Sequence, residues 1–73
     1  MSYKNICEKI LSKMNFLLSC NLNLIPECVI LGEKYFNILN KDFCEILNTN
    51  ITEIYGLKII IDKENKERIS VGI

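Results

Sequence analysis

The sequence predicts a two-layer α/β (α+β) sandwich, with two helices on one face of a three- to four-stranded mixed sheet that ends in a C-terminal β-hairpin. Three observations carry that expectation. Apolar residues recur every three to four positions in two separate stretches, a continuous apolar run lies between Pro26 and Gly32, and two alternating segments flank a charged turn near the C-terminus. The resulting order is helix, strand, helix, strand, strand, and 73 residues leave room for one domain with a thin core.

The first helix is expected from Tyr3 to Leu18, where Ile6, Cys7, Ile10, Leu11, Met14, Leu17 and Leu18 form one wide stripe. Ser2 can cap its first turn, Glu8, Lys9, Ser12 and Lys13 form the wet face, and Asn21 and Asn23 supply turn chemistry after it. Phe16 lies off the stripe, as either a second buried contact or an exposed anchor for another chain. Pro26 forces its predecessor out of helix, and Cys28-Val29-Ile30-Leu31 then reads as a strand buried on both faces.

After Gly32, the residues Tyr35, Phe36, Leu39, Phe43, Ile46 and Leu47 keep helical spacing, with a jog expected near Asn40, whose side chain could recap the helix. Asn48-Thr49-Asn50 is a loop, and Ile51 to Tyr55 reads either as a short strand or as an extended connection. In the expected hairpin, Leu57, Ile59 and Ile61 point one way and Lys58 and Ile60 the other. On the last strand Ile69, Val71 and Ile73 alternate with Arg68, Ser70 and Gly72. The exposed sheet face would then carry Ile60 and one of Val29 or Leu31, with Lys58 and Arg68 around them.

Composition excludes more than it assigns. Nine basic and nine acidic residues cancel, so no global field draws the chain to nucleic acid or to an anionic membrane. Lys4, Glu8, Lys9 and Lys13 interrupt the first stretch, so neither a signal peptide nor a membrane span is expected there, and the cytosol is the expected location. Alanine, histidine, glutamine and tryptophan are absent while isoleucine, asparagine and lysine abound, a coding bias that weakens any reading of a single Asn or Lys.

Without histidine, the usual general base at neutral pH and the commonest metal ligand are missing. Glu64-Asn65-Lys66, with Asp62, has the acid-x-lysine spacing of metal-dependent nucleases, but in a charged turn it reads as a solvated tip. Cys7, Cys20, Cys28 and Cys44 form no close pair of the kind that structural zinc uses. Packing is their expected role, with Cys20, near a helix end, the thiol most open to reaction. Gly32-Glu33-Lys34 opens a helix but lacks the further glycines of a nucleotide loop. Lys58, Lys63, Lys66 and Arg68 form a basic streak that Glu64 and Glu67 break, so nucleic acid is not the expected partner. No catalytic residue, metal or cofactor is expected.

Val29-Ile30-Leu31-Gly32, then Tyr35 and Leu39, then Gly56-Leu57-Lys58-Ile59-Ile60-Ile61-Asp62 resemble a pattern of small phage-encoded α/β proteins and of segments of phage structural proteins. The resemblance covers about half of the chain and carries over no functional residue. It implies a phage or mobile-element origin, where compact proteins act by covering a host machine, as anti-CRISPR and other anti-defence inhibitors do. The short charged turn after Asp62 departs from capsid-like segments, which favours a free-standing protein.

The function expected from these residues is that of a non-enzymatic interaction module, binding a host protein or protein complex through a sheet edge or the mixed sheet face. Tyr55, Lys58, Ile60, Arg68 and Ser70 are the expected contact residues. A homodimer or phage structural homo-oligomer that pairs the last strand is the alternative, and a small nucleic-acid-binding protein is the second.

Overall fold

A computed structural model of the chain describes residues 2–20 and 25–72. Asn21, Asn23 and Ile73 lie outside the described residues. The elements follow in the order α1 (Tyr3–Ser19), β1 (Cys28–Gly32), α2 (Glu33–Leu47), β2 (Glu53–Ile54), β3 (Leu57–Asp62) and β4 (Ile69–Gly72). The expected α+β architecture is present, with a four-stranded mixed sheet.

The helices form for the reasons their spacing gives. Ser2 stands at the N-cap of α1, where its hydroxyl accepts from the Asn5 amide at 3.3 Å, and Ile6, Cys7 and Ile10 are buried against the sheet. Helix α2 runs unbroken from Glu33 to Leu47, burying Tyr35 and Leu39. There is no jog at Asn40. Its side chain instead accepts from the Ile51 amide at 2.8 Å and donates to Asn50 at 3.1 Å, clasping the loop that leads to β2.

The strand order is β2-β3-β1-β4, which corrects the expected terminal hairpin. Strands β3 and β4 are not neighbours; β1 lies between them, parallel to β3 and antiparallel to β4. The hairpin occurs one step earlier, between β2 and β3, with Ile54 opposite Leu57 across Tyr55-Gly56. Both loop residues have positive φ, 52° and 77°, the pattern of the type I′ turn that suits strand twist.

Central placement of β1 has a physical cause. An apolar strand gains most when both its backbone edges are paired, and the segment 63–68 is long enough to step over β1 and span two strand spacings, about 10 Å. That crossing passes directly above the end of β1: a Cβ at Gly32 would overlap the backbone carbonyl of Lys66. The Gly32 amide donates to the Arg68 carbonyl at 2.7 Å, which starts the β1–β4 ladder.

Register decides which side chains share a face. Val29 lies opposite Ile59 and Val71, and Leu31 opposite Ile61 and Ile69; these face the helices. Val29 and Leu31 join Ile6, Ile10, Leu39 and Leu57 in the innermost core, with Ile51 and Ile54 closing one end. Ile30, opposite Ile60 and Ser70, takes the other face. The expectation that Val29 or Leu31 would be exposed is therefore corrected to Ile30, and β1 is covered by helices on one side only.

Candidate protein-interaction surface

The face away from the helices carries Cys28, Ile30 and Gly32 from β1, Lys58, Ile60 and Asp62 from β3, and Ser70 and Gly72 from β4, as the period-two pleat requires. Glu53 on β2 lies opposite Lys58. Ile60 is exposed and Ile30 half-buried, so an apolar centre has charged and polar neighbours. Of the expected contact residues, Lys58, Ile60 and Ser70 share this face, and Arg68 reaches it from the start of β4.

Arg68 is held there. Its Nε donates to the Ser70 hydroxyl at 3.1 Å and its guanidinium donates to Asp62 at 3.3 Å. Asp62 also accepts from the amides of Asn65 and Glu64 at 3.0 and 2.9 Å. These two backbone donors, with the Arg68 guanidinium after them, outweigh desolvation and hold the Asp62 carboxyl below its ordinary value. Asp62 thus clasps the crossing segment, while Glu64 and Lys66 are exposed beside it. Glu67, one of the two acids that interrupt the basic streak, pairs with Lys34 at 3.2 Å.

Tyr55 does not join the others. It sits in the β2–β3 turn, and its phenol, like that of Tyr3, is close to the Cys7 thiol on the helical side of the sheet; burial first, then Cys7, raises the pKa of Tyr55. The Cys20 thiol is half-buried at the C-cap of α1 and donates to the Phe16 carbonyl at 3.3 Å. All four cysteines are free, and among the described residues no cluster of three acidic or cysteine side chains is placed to hold a metal ion.

Sequence reasoning missed the asymmetry of the two sheet edges. At one edge, β2 has two residues, one of them Glu53. At the other, β4 reads Ile-Ser-Val-Gly, without charge or proline. Because Arg68 and Ser70 face β1 in the antiparallel ladder, the N–H and C=O groups of Ile69 and Val71 point outward. Natural edges are usually blunted by charge, proline or a bulge; along Ile69–Gly72 neither charge nor proline is present.

Beside this edge, on the helical side, Ser12, Lys13, Phe16 and Leu17 of α1 form a groove of about 450 Å³ with Ser70 and Val71. Phe16 is 69% exposed on its wall, so it is not a core contact. Its position off the helical stripe was the sequence signal. No helix among the described residues is long and apolar enough to cross a membrane. No protein-family model, curated protein or solved structure matches the chain.

Proposed function

We propose that the protein is a non-enzymatic interaction module that captures an extended segment of a partner protein by strand addition to β4. The observation that carries this reading is the uncharged edge itself, four residues long and with the Ile69 and Val71 backbone groups directed outward. An added strand would complete those hydrogen bonds and alternate its side chains between two surfaces. One set would meet Phe16, Leu17 and Val71 in the groove; the other would meet Ser70, Ile30 and Ile60 on the mixed face.

The resemblance of the strand-glycine-helix segment supports a setting for this activity. It is that of a phage or mobile-element protein seated on a host defence complex of the CRISPR type, in the cytosol, where four free thiols persist. The second reading is a homo-oligomer in which β4 pairs with β4 of another copy across a twofold axis, favoured by the self-complementary character of an antiparallel edge. Light scattering over a dilution series separates the two, since only the second predicts mass that rises with concentration.

The deciding experiment is affinity capture from a host lysate, read by mass spectrometry, with the parent chain and two variants. Val71→Pro removes an N–H that points outward and spares the β1 ladder, and Lys58→Ser with Ile60→Ser alters the mixed face. The reading expects one captured protein to be lost with Val71→Pro and weakened by the paired change, with both variants still folded by circular dichroism. Equal capture by all three would sink it.

A further inference from the structure

Helical spacing places Ile46 and Leu47 on the same stripe as the buried Tyr35 and Leu39, yet they are 81% and 57% exposed. The last turn of α2 lies beside the first turn of α1, and the two enclose a groove of about 410 Å³ lined by Tyr3, Asp42, Phe43, Glu45, Ile46 and Leu47. Its floor is apolar and both of its charged lining residues are acidic. Lys4 and Lys41 adjoin Tyr3 and Asp42 in sequence, but neither lines it.

The electrostatics favour a cation from outside. Asp42 shares the groove with Tyr3 of the first turn of α1, a turn with no acidic residue of its own. Burial first, then the Cys7 thiol, and after these the Asp42 carboxylate push the Tyr3 phenol above its ordinary pKa. Among the described residues, no cation pairs with Glu45. It sits in the last turn of α2, where no basic residue offsets the negative end of the helix. The Asn48 amide returns to the Cys44 carbonyl at 2.9 Å, but among the described residues none donates to the carbonyls of Glu45, Ile46 and Leu47.

We propose that this groove is a second docking surface, separate from the β4 edge, and that it receives a basic amphipathic helix of a partner protein. The helical form follows from the walls. Every lining side chain comes from α1 or α2, so no strand edge is present to pair an extended backbone, whereas a helix satisfies its own amides. Its apolar stripe covers Ile46, Leu47 and Phe43, and its Lys or Arg side chains reach Glu45 and the free carbonyls.

The test is an amide chemical-shift titration of the isotope-labelled full chain with two synthetic amphipathic peptides of about four helical turns. One has a leucine stripe with lysines opposite, and the other keeps the stripe and replaces every lysine by glutamate. The lysine peptide should shift Tyr3 and residues 42–47 while residues 69–72 stay in place, and the glutamate peptide should bind at least about tenfold more weakly. Ile46→Ser should weaken the lysine peptide about tenfold and Glu45→Lys about fivefold, both at exposed positions that leave the fold intact. The inference is overturned by equal affinity of the two peptides, by no shift with the lysine peptide, by shifts centred on β4, or by an Ile46→Ser variant that binds as the parent does. Shifts that change with protein concentration before any peptide is added would also overturn it, since a second copy would then fill the groove.

Discussion

Replacing Gly32 by alanine tests the crossing of β3 to β4 over β1, the feature on which the sheet order depends. The backbone of Gly32 has φ −57° and ψ 148°, ordinary for any residue, so alanine brings no conformational penalty of its own. The whole cost is steric. The new Cβ would overlap the carbonyl group of Lys66 and press on the carbonyl oxygen of Asn65, and backbone atoms cannot rotate away as a side chain would. Relief requires lifting the crossing segment, which breaks the 2.7 Å bond from the Gly32 amide to Arg68. One net hydrogen bond, about 1 kcal/mol, and an overpacking strain of about 1–3 kcal/mol together give about 2–4 kcal/mol. A domain of this size has a total of roughly 4–11 kcal/mol, so Tm should fall by roughly 10–30 °C. Thermal melting followed by far-UV circular dichroism measures the fall in Tm, and urea unfolding the loss of stability. Gly56→Ala is the control: it meets nothing within 4 Å but holds φ +77°, so only backbone strain of about 1–2 kcal/mol applies. A Gly32→Ala variant within about 0.5 kcal/mol of the parent, or one more stable than Gly56→Ala, would refute the crossing.

Leu39→Ala empties a fully buried site and should cost about 2–5 kcal/mol, a large share of the total stability, as a thermal melt will show. Asn40→Ala removes the clasp on Ile51 and should cost about 1–2 kcal/mol in the same assay, while Asn40→Asp, which keeps an acceptor for that amide, recovers part of it. Asp62 gives a pH signature: its folded pKa is depressed, so its stabilisation is complete above the ordinary aspartate value of 3.8 and is lost as pH falls through the folded value. The Tm gap between the parent and Asp62→Ala should therefore close on acidification below that value; a gap that widened there would contradict the assigned contacts. Phe16→Ser should leave Tm nearly unchanged and reduce capture of a β4-bound partner, because the ring contributes little to the core.

Local chemistry was legible and long-range pairing was not. The α1 and α2 stripes, the Ser2 cap and the alternation along β3 and β4 follow from periodicity, because side-chain direction depends only on the neighbouring backbone. Strand order depends on which edges meet, and a charged segment at 63–67 looks the same whether it turns back or steps over another strand. Two residue-level signals pointed to the second: the unbroken run Val29-Ile30-Leu31, which suits a central strand, and Gly32, where another backbone approaches. The true hairpin escaped notice because Tyr55 occupies a loop position that Asn or Asp usually fills. On the candidate surface, Lys58, Ile60, Arg68 and Ser70 were legible from alternation, and the bare β4 edge was hidden behind the wrong partner for that strand.

Because β1 is zipped on one side by β3 and on the other by β4, the middle of the sheet cannot be completed while a ribosome is still making the residues after Asp62. Until Ile69 to Gly72 emerge, the nascent chain presents a bare flank of Cys28 to Gly32, and folding waits for contacts distant in sequence, which form slowly. Removing those four residues would open the central strand to water along its length.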